Sequence, residues 1–385
     1  MDFDFSDDEE QLRDAVRKWV DRAYGFERHR AIVKAGGFSA EAWQEIADLG
    51  LPGLGVAEDD GGLGLGDVAA MVALEELGRG LVLEPVAAVT RVAATLLAGA
   101  APEARGDWLA RLAAGEARVV LAHQERAARY RLERVDTVAQ QGPAGGWTLT
   151  GTKSLVPIGD VVDACIVPAR VRGAADDPAG IALFLVDRAA AAGAATLAAR
   201  GYVLQDGTRA AELTFSAAPA TLLVEAGAAF PVLERAVDVG LAALAAEAVG
   251  AMDRLFELTV EYLNTRRQFG VPIGTFQALR HRVADMKMQL ELARSMSYFA
   301  TLRLADEDPD VRRRACAQAK VQLGQSMRFV GQQAIQLHGG IGMTEEYAGS
   351  HYFRKLTVLE MTFGDTMHHL GVVSARMQDT AGVFA

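Results

Sequence analysis

The chain has 385 residues, 50% of them apolar, and a formal net charge of -11. This length supports more than one buried core, and the acidic balance excludes a nucleic-acid surface, whose affinity needs a basic footprint. Two cysteines far apart, Cys165 and Cys316, exclude a disulfide framework and a thiolate metal site and fit a reducing compartment.

The acidic start, Met1 to Glu10, lacks the basic-then-apolar order of a signal peptide. No apolar run reaches membrane-spanning length, so a cytoplasmic protein without membrane insertion is expected. Ser6 and Glu9 form a capping box ahead of Leu12, Val16, Trp19 and Val20 at helical spacing. A second helix fits Ser39 to Leu49, with Trp43 and Ile46 on its apolar side and Gly50 as its stop. Gly53 to Gly66 is glycine punctuation, Val68 to Leu77 resumes an amphipathic pattern, and two Ala/Leu-rich helices run to Ala114.

Near Arg118 the texture changes. Val119 to Ala122, Trp147 to Thr150, Ala164 to Val171, Ile181 to Val186 and Glu212 to Phe215 are short apolar or alternating runs between Gly, Pro and Asp, a strand signature. The alanine-rich piece Asp187 to Arg200 reads equally as a short helix or a surface loop. After Ala220 long helices are predicted from Pro231 to Thr265, Phe276 to Ala305 and Pro309 to His338, with a fourth near the C-terminus, making an antiparallel bundle. The fold class is thus α+β and multidomain: helical at 1-117, β at 118-222, a four-helix bundle at 223-385. Such Ala-rich helices pack against a second copy, so an oligomer is expected.

Between two bundle helices, Arg266 to Gln277 sets a cation, the Phe269 ring and an amide in one helix-turn-helix corner. Arginine can fork onto a pyrophosphate, a Phe can pack on a ring system, and Gln277 can bond polar groups, which suits a flavin dinucleotide. An ordinary turn with solvated arginines explains the same residues. Gln336 to Met343 ends a helix in glycines, Gly339 and Gly340 among them, whose bare backbone can approach a phosphate or simply cap the helix. Glu247 is the lone charge in an apolar helix stretch, Val239 to Met252. It either pairs with an Arg from a neighbouring helix, stays protonated, or sits at a cavity as a general base. Asp365, in the Thr362 to His369 loop, is a second acidic candidate, whereas adjacent His368 and His369 point different ways and make a poor metal pair. Hydrolase elbow, zinc-protease helix, Walker loop and Rossmann fingerprint are all missing from the sequence.

With these residues in view, the chain resembles the acyl-CoA dehydrogenase family over nearly its whole length. Trp43 to Gly66, Arg266 to Gln277 and Gln336 to Met343 look like three of that family's blocks in the right order. The resemblance implies a helical N-terminal domain, a middle β domain and a C-terminal four-helix bundle. It also implies FAD bound between subunits and oxidation of an acyl-CoA thioester at Cα and Cβ, with electrons passing to an electron-transfer flavoprotein. By the same similarity Arg266 and Phe269 reach a neighbouring subunit's FAD, and Gln277, Gln336, Gly339 and Gly340 surround the dinucleotide. The pattern departs at Leu121 to Ala127 and Lys153 to Pro157, where the family's own-side flavin contacts are replaced. Phe363 stands where the usual catalytic glutamate lies, and Leu241 where an Arg follows Asp238. Glu247 lies seven residues beyond Gly240, the site of an alternative base, and so becomes the leading candidate with Asp365 in reserve. The chain looks most like the small-subunit type, similar to pimeloyl-CoA dehydrogenase small subunits, which implies a homo-oligomer or a heterotetramer with a homologous large subunit.

Overall fold

In the computed structural model, which describes residues 5–143, 145–375 and 377, helices begin where their caps lie. Met1 to Asp4 of the acidic start fall outside those residues. Ser6 accepts the Glu9 N–H while the Glu9 carboxylate takes the Ser6 N–H, so the capping box opens α1 (Asp7–Ala23). Next comes α2 (Phe26–Lys34), a helix the sequence pattern does not announce. Ser39 caps α3 (Ala40–Asp48), whose buried face is Ala42, Trp43 and Ile46. The expected amphipathic segment is corrected in α4 (Gly66–Arg79): every residue from Ala69 to Gly78 is buried, Glu75 and Glu76 included. Its charges therefore mark ion pairs and not a wet face.

The chain divides into two compact units. One comprises Ile32–Gly66 and Leu83–Gly240. Its helical part ends in a π-turn segment, Ala87–Ala93, followed by α5 (Ala94–Ala98), α6 (Pro102–Arg105) and α7 (Trp108–Ala113). Seven strands follow: β1 (Val119–Leu121), β2 (Val138–Gln141), β3 (Trp147–Pro157), β4 (Ala164–Arg170), β5 (Ile181–Asp187), β6 (Leu197–Val203) and β7 (Arg209–Val224). The sequence marks neither β2 nor β6, since neither shows alternating burial strong enough to read. The alanine-rich piece proves to be both structures, α8 (Arg188–Gly193) capped by Asp187 and then the start of β6.

β4, β5, β7, β3 and β2 pair in order, and a single parallel bridge, Val138 to Arg170, returns β2 to β4, so the sheet closes on itself. Two buried cations secure it. Arg170 donates to the carbonyls of Glu133, Val135, Arg172, Ala175 and Asp177 beside that bridge. Lys153, fully buried, meets Glu125 at 2.6 Å, and the Thr137 hydroxyl donates to the same carboxylate. Burial opposes the charge on Glu125, but Lys153, Thr137 and the Asp136 N–H outweigh it and hold the carboxyl below its usual range.

The other unit comprises Met1–Ala31, Asp67–Val82 and Leu241–Ala385. It holds most of α9 (Ala229–Thr265, 37 residues), then the short strands β8 (Arg267–Gln268) and β9 (Val271–Pro272), and α10 (Gln277–Arg303), α11 (Pro309–His338), α12 (Ala348–Met361) and α13 (Thr366–Ala375). Antiparallel α10 and α11 touch through Gln289 and Gln322 at 3.3 Å and through Arg282 and Gln333 at 3.1 Å. α4 crosses α9 at backbone distance: a Cβ on Gly78 would strike the Glu247 carbonyl, and one on Gly250 would strike the Glu75 carbonyl. Around this crossing Arg17 forks onto Glu76, Arg79 bridges Asp253 and Glu257, and Arg294 joins Glu75 to Asp253.

Gly250→Val forces these two helices apart, and the expected loss in urea unfolding is about 3 kcal/mol, the upper end of overpacking costs. A loss below about 0.5 kcal/mol, the scale of a neutral surface change, would show that the crossing has slack.

Candidate functional site

The corner expected as a bare helix-turn-helix contains a β-hairpin. Arg267 pairs with Pro272 and Gln268 with Val271, leaving Phe269 and Gly270 as a two-residue turn. Both have positive φ, +55° and +83°, the signature of a type I′ turn that normally takes Asn or Gly. A phenylalanine there is strained. Phe269 is also 89% exposed, and its ring meets that of Phe276 at right angles, at 6.1 Å between centroids. Strain together with exposure marks the tip as built for contact rather than for folding.

The same end of this unit gathers the other predicted residues. Arg282 touches Gln333, so Gln277, five residues before the one, and Gln336, three beyond the other, lie within about 8 Å of that contact along their helix axes. Tyr262 at the end of α9 packs on His338 at 4.8 Å, and Tyr347 donates to His338 Nε2 at 2.8 Å. His338 Nδ1–H is committed to the Ala334 carbonyl at 2.7 Å, which fixes the neutral tautomer. Burial lowers its pKa against the opposing effect of that hydrogen bond. Arg266 lies one turn beyond Tyr262, bonded to its carbonyl at 2.8 Å. Gly339 and Gly340 are exposed, and a Cβ on either would meet nothing within 4 Å. A guanidinium, a projecting ring, two amides and open glycine backbone therefore converge at the meeting point of α9, α10 and α11. These groups fit one side of a flavin dinucleotide.

Glu247 has the partner that burial demands. Lys355 Nζ lies 2.5 Å from its Oε1, with the two side chains 7% and 16% exposed. The expectation of a helix-borne arginine is thereby replaced by a lysine from α12. A signal for it exists: Lys355 falls in register with buried Tyr352, Leu356 and Leu359, a cation on an apolar stripe. Asp365 has a local task, since its Oδ1 accepts the His368 N–H at 2.8 Å and caps α13. His368 and His369 have rings 86° apart, and no metal-holding cluster occurs among the described residues.

In the β unit, Glu125 and Lys153 from the two replaced segments turn inward onto each other, and Gln124 accepts the Ser154 N–H at 2.8 Å. Leu155 is half exposed at positive φ, +52°. The segments knit the barrel to itself.

Comparison with known proteins finds relatives over nearly the whole chain. The sequence profile of the acyl-CoA dehydrogenase N-terminal domain matches residues 6–116, and that of the C-terminal domain matches 228–378. The chain is 30% identical to acyl-CoA dehydrogenase IpdE2 of Mycobacterium tuberculosis, over 91% of each chain. It is 28% identical to mitochondrial isovaleryl-CoA dehydrogenase of Oryza sativa subsp. japonica, covering 94% of this chain and 88% of that one. Its fold superposes on a chain of the ChsE4-ChsE5 complex from Mycobacterium tuberculosis with a TM-score of 0.86 at 25% identity, over 98% and 99% of the two chains.

Removing one member of the buried pair tests its role. Lys355→Met strands the Glu247 carboxylate and is expected to cost about 3 kcal/mol in denaturant unfolding, whereas Glu247→Leu combined with Lys355→Met recovers most of it. A single variant as stable as the double one would deny the coupling.

Proposed function

Because the chain belongs to the acyl-CoA dehydrogenase family, we propose that it carries out FAD-dependent α,β-dehydrogenation of an acyl-CoA thioester with Glu247 as the base. The observation that carries this reading is the corner where the exposed Phe269 ring, the ends of α10 and α11 and the open Gly339–Gly340 backbone gather; Glu247, paired with Lys355, is the base proposed beside it. Lys355 holds the Glu247 carboxylate in place from α12. Glu247 takes the Cα proton as the double bond forms. Arg266, Phe269, Gln277, Gln336, Gly339 and Gly340 of a neighbouring copy or of a homologous chain would hold FAD, which would supply the acceptor for the Cβ hydride and the route of electrons to an electron-transfer flavoprotein. Asp365 serves as the reserve base, its Oδ1 already engaged by the His368 N–H. The segments 1-117, 118-222 and 223-385 act as the three domains of this enzyme, in a reducing, cytoplasmic setting.

One observation favours a variant of this reading. The Glu125–Lys153 pair uses inward the two segments that would line this chain's own flavin, while the exposed corner at Phe269 is intact. On this second reading the chain is the cofactor-sharing small subunit of a heterotetramer, and the partner supplies the other flavin wall. The likeness to a chain of a two-protein complex supports it.

Purification separates the two. A yellow homo-oligomer with flavin absorbance fits the first reading, and a colourless chain that turns yellow only when co-expressed with a homologous large subunit fits the second. In whichever form binds FAD, Glu247→Gln is expected to lower turnover of acyl-CoA about 10³-fold with absorbance retained, the scale of a lost general base. Full turnover in that variant would remove Glu247 from the role.

A further inference from the structure

The turn between α12 and α13, residues 359–366, is gripped by one stripe of α11. Lys320, Gly324 and Arg328 recur every four residues and share a face. Lys320 is buried, and its Nζ donates to the carbonyls of Leu359 and Thr362, each at 2.7 Å. Gly324 leaves room for Thr366, whose hydroxyl a Cβ would strike. Arg328 lies 3.5 Å from Glu360, which accepts both the N–H and the hydroxyl of Thr366, at 3.0 and 2.6 Å. From α13, His369 Nε2–H donates to the Phe363 carbonyl at 2.9 Å. Gly364, at φ +107°, lies so close to His368 and His369 that a Cβ would collide with both rings.

The donor count is the informative part. A neutral amine has two N–H bonds and a lone pair, and an ammonium has three N–H bonds. Lys320 meets two acceptors among the described residues, so the uncharged amine already satisfies the site. The facing titratable groups are Glu360 on α12, Asp365 in the turn, and His368 and His369 on α13; the facing fixed cation is Arg328, on the same helix as Lys320. Burial pushes His369 down to about 4, leaving it neutral. Burial likewise brings Lys320 down to about 7 against the pull of Glu360 and Asp365. A third N–H on Lys320 has no acceptor among the described residues: its bonds run to the two carbonyls, and neither carboxylate pairs with Nζ, Glu360 turning Oε1 to Thr366 and Asp365 turning Oδ1 to the His368 N–H.

We propose that Lys320 is a positioning residue of the candidate site, fixing as an uncharged amine the turn that carries Phe363 and Asp365 and releasing it on protonation. This rests on reading that turn as part of the acyl-CoA site. The consequence is an enzyme whose substrate affinity, and not its chemical step, responds to pH near neutrality.

Amide hydrogen exchange across residues 362–368, corrected for intrinsic rates, tests the device at about pH 8 and about pH 6. Wild type is expected to lose protection at least ~10-fold on acidification, the mark of a local opening. Lys320→Gln, with two N–H donors and no charge to gain, stays protected at both, and Lys320→Met is open at both. Equal protection in wild type at the two pH values, or in Lys320→Met at pH 8, overturns the proposal. If Lys320→Met fails to fold, Lys320→Gln still decides, because a pH response retained in it is fatal. In the FAD-loaded enzyme with its partner, KM for acyl-CoA should rise about fivefold between the two pH values with kcat little changed, a binding effect rather than a chemical one, and Lys320→Gln should be flat. A wild type that turns over no acyl-CoA overturns the dehydrogenase reading, while the exchange result judges Lys320 independently.

Discussion

Two glycines facing each other's helix set the terms for the bundle unit. Gly78 and Gly250 allow α4 and α9 to cross with backbone against backbone, leaving no layer of side chains between them. Everything at the crossing must then be satisfied from its rim. Glu247 projects to Lys355 on α12, Glu75 to Arg294 on α10, and Glu76 to Arg17 on α1. Ion pairs of this kind add little net stability over apolar packing, but a misplaced helix would strand a buried charge. The crossing thereby specifies where α1, α10 and α12 sit around it, and it fixes the position of the candidate base.

α11 extends that precision in another direction. The Lys320, Gly324 and Arg328 stripe addresses the turn at residues 359–366, and the far end of the same helix carries Gln336, Gly339 and Gly340. From Lys320 to Gln336 is 16 residues of unbroken helix, about 24 Å at the usual rise. One rigid element thus sets the spacing between the turn and the glycine-ended corner.

Much of this was legible in the residues. Ser6, Ser39 and Pro309 announce helix starts because capping is local chemistry, and the long periodic helices follow from burial of one face. The strands β2 and β6 were hidden although each pairs with the next strand across a short connection, because both are mostly exposed and neither carries an alternating apolar run. The amphipathic expectation for α4 failed because buried acids look like a polar face until their arginines are seen. The type I′ turn at Phe269 escaped for a related reason: backbone strain at a phenylalanine contradicts propensity, and propensity is all that a short stretch offers. Lys355 and Lys320 could have been suspected as lone cations on apolar registers. Which carboxylate or carbonyl each one meets is tertiary information.

The exposed Phe269 also bears on how the chain behaves before it finds company. A bare aromatic ring on a stiff hairpin is an adhesive point, and a second newly made copy offers the same one. The net charge of -11 opposes that encounter at long range. Repulsion between whole molecules slows contact at this ring, and a surface of opposite charge would meet less of that resistance.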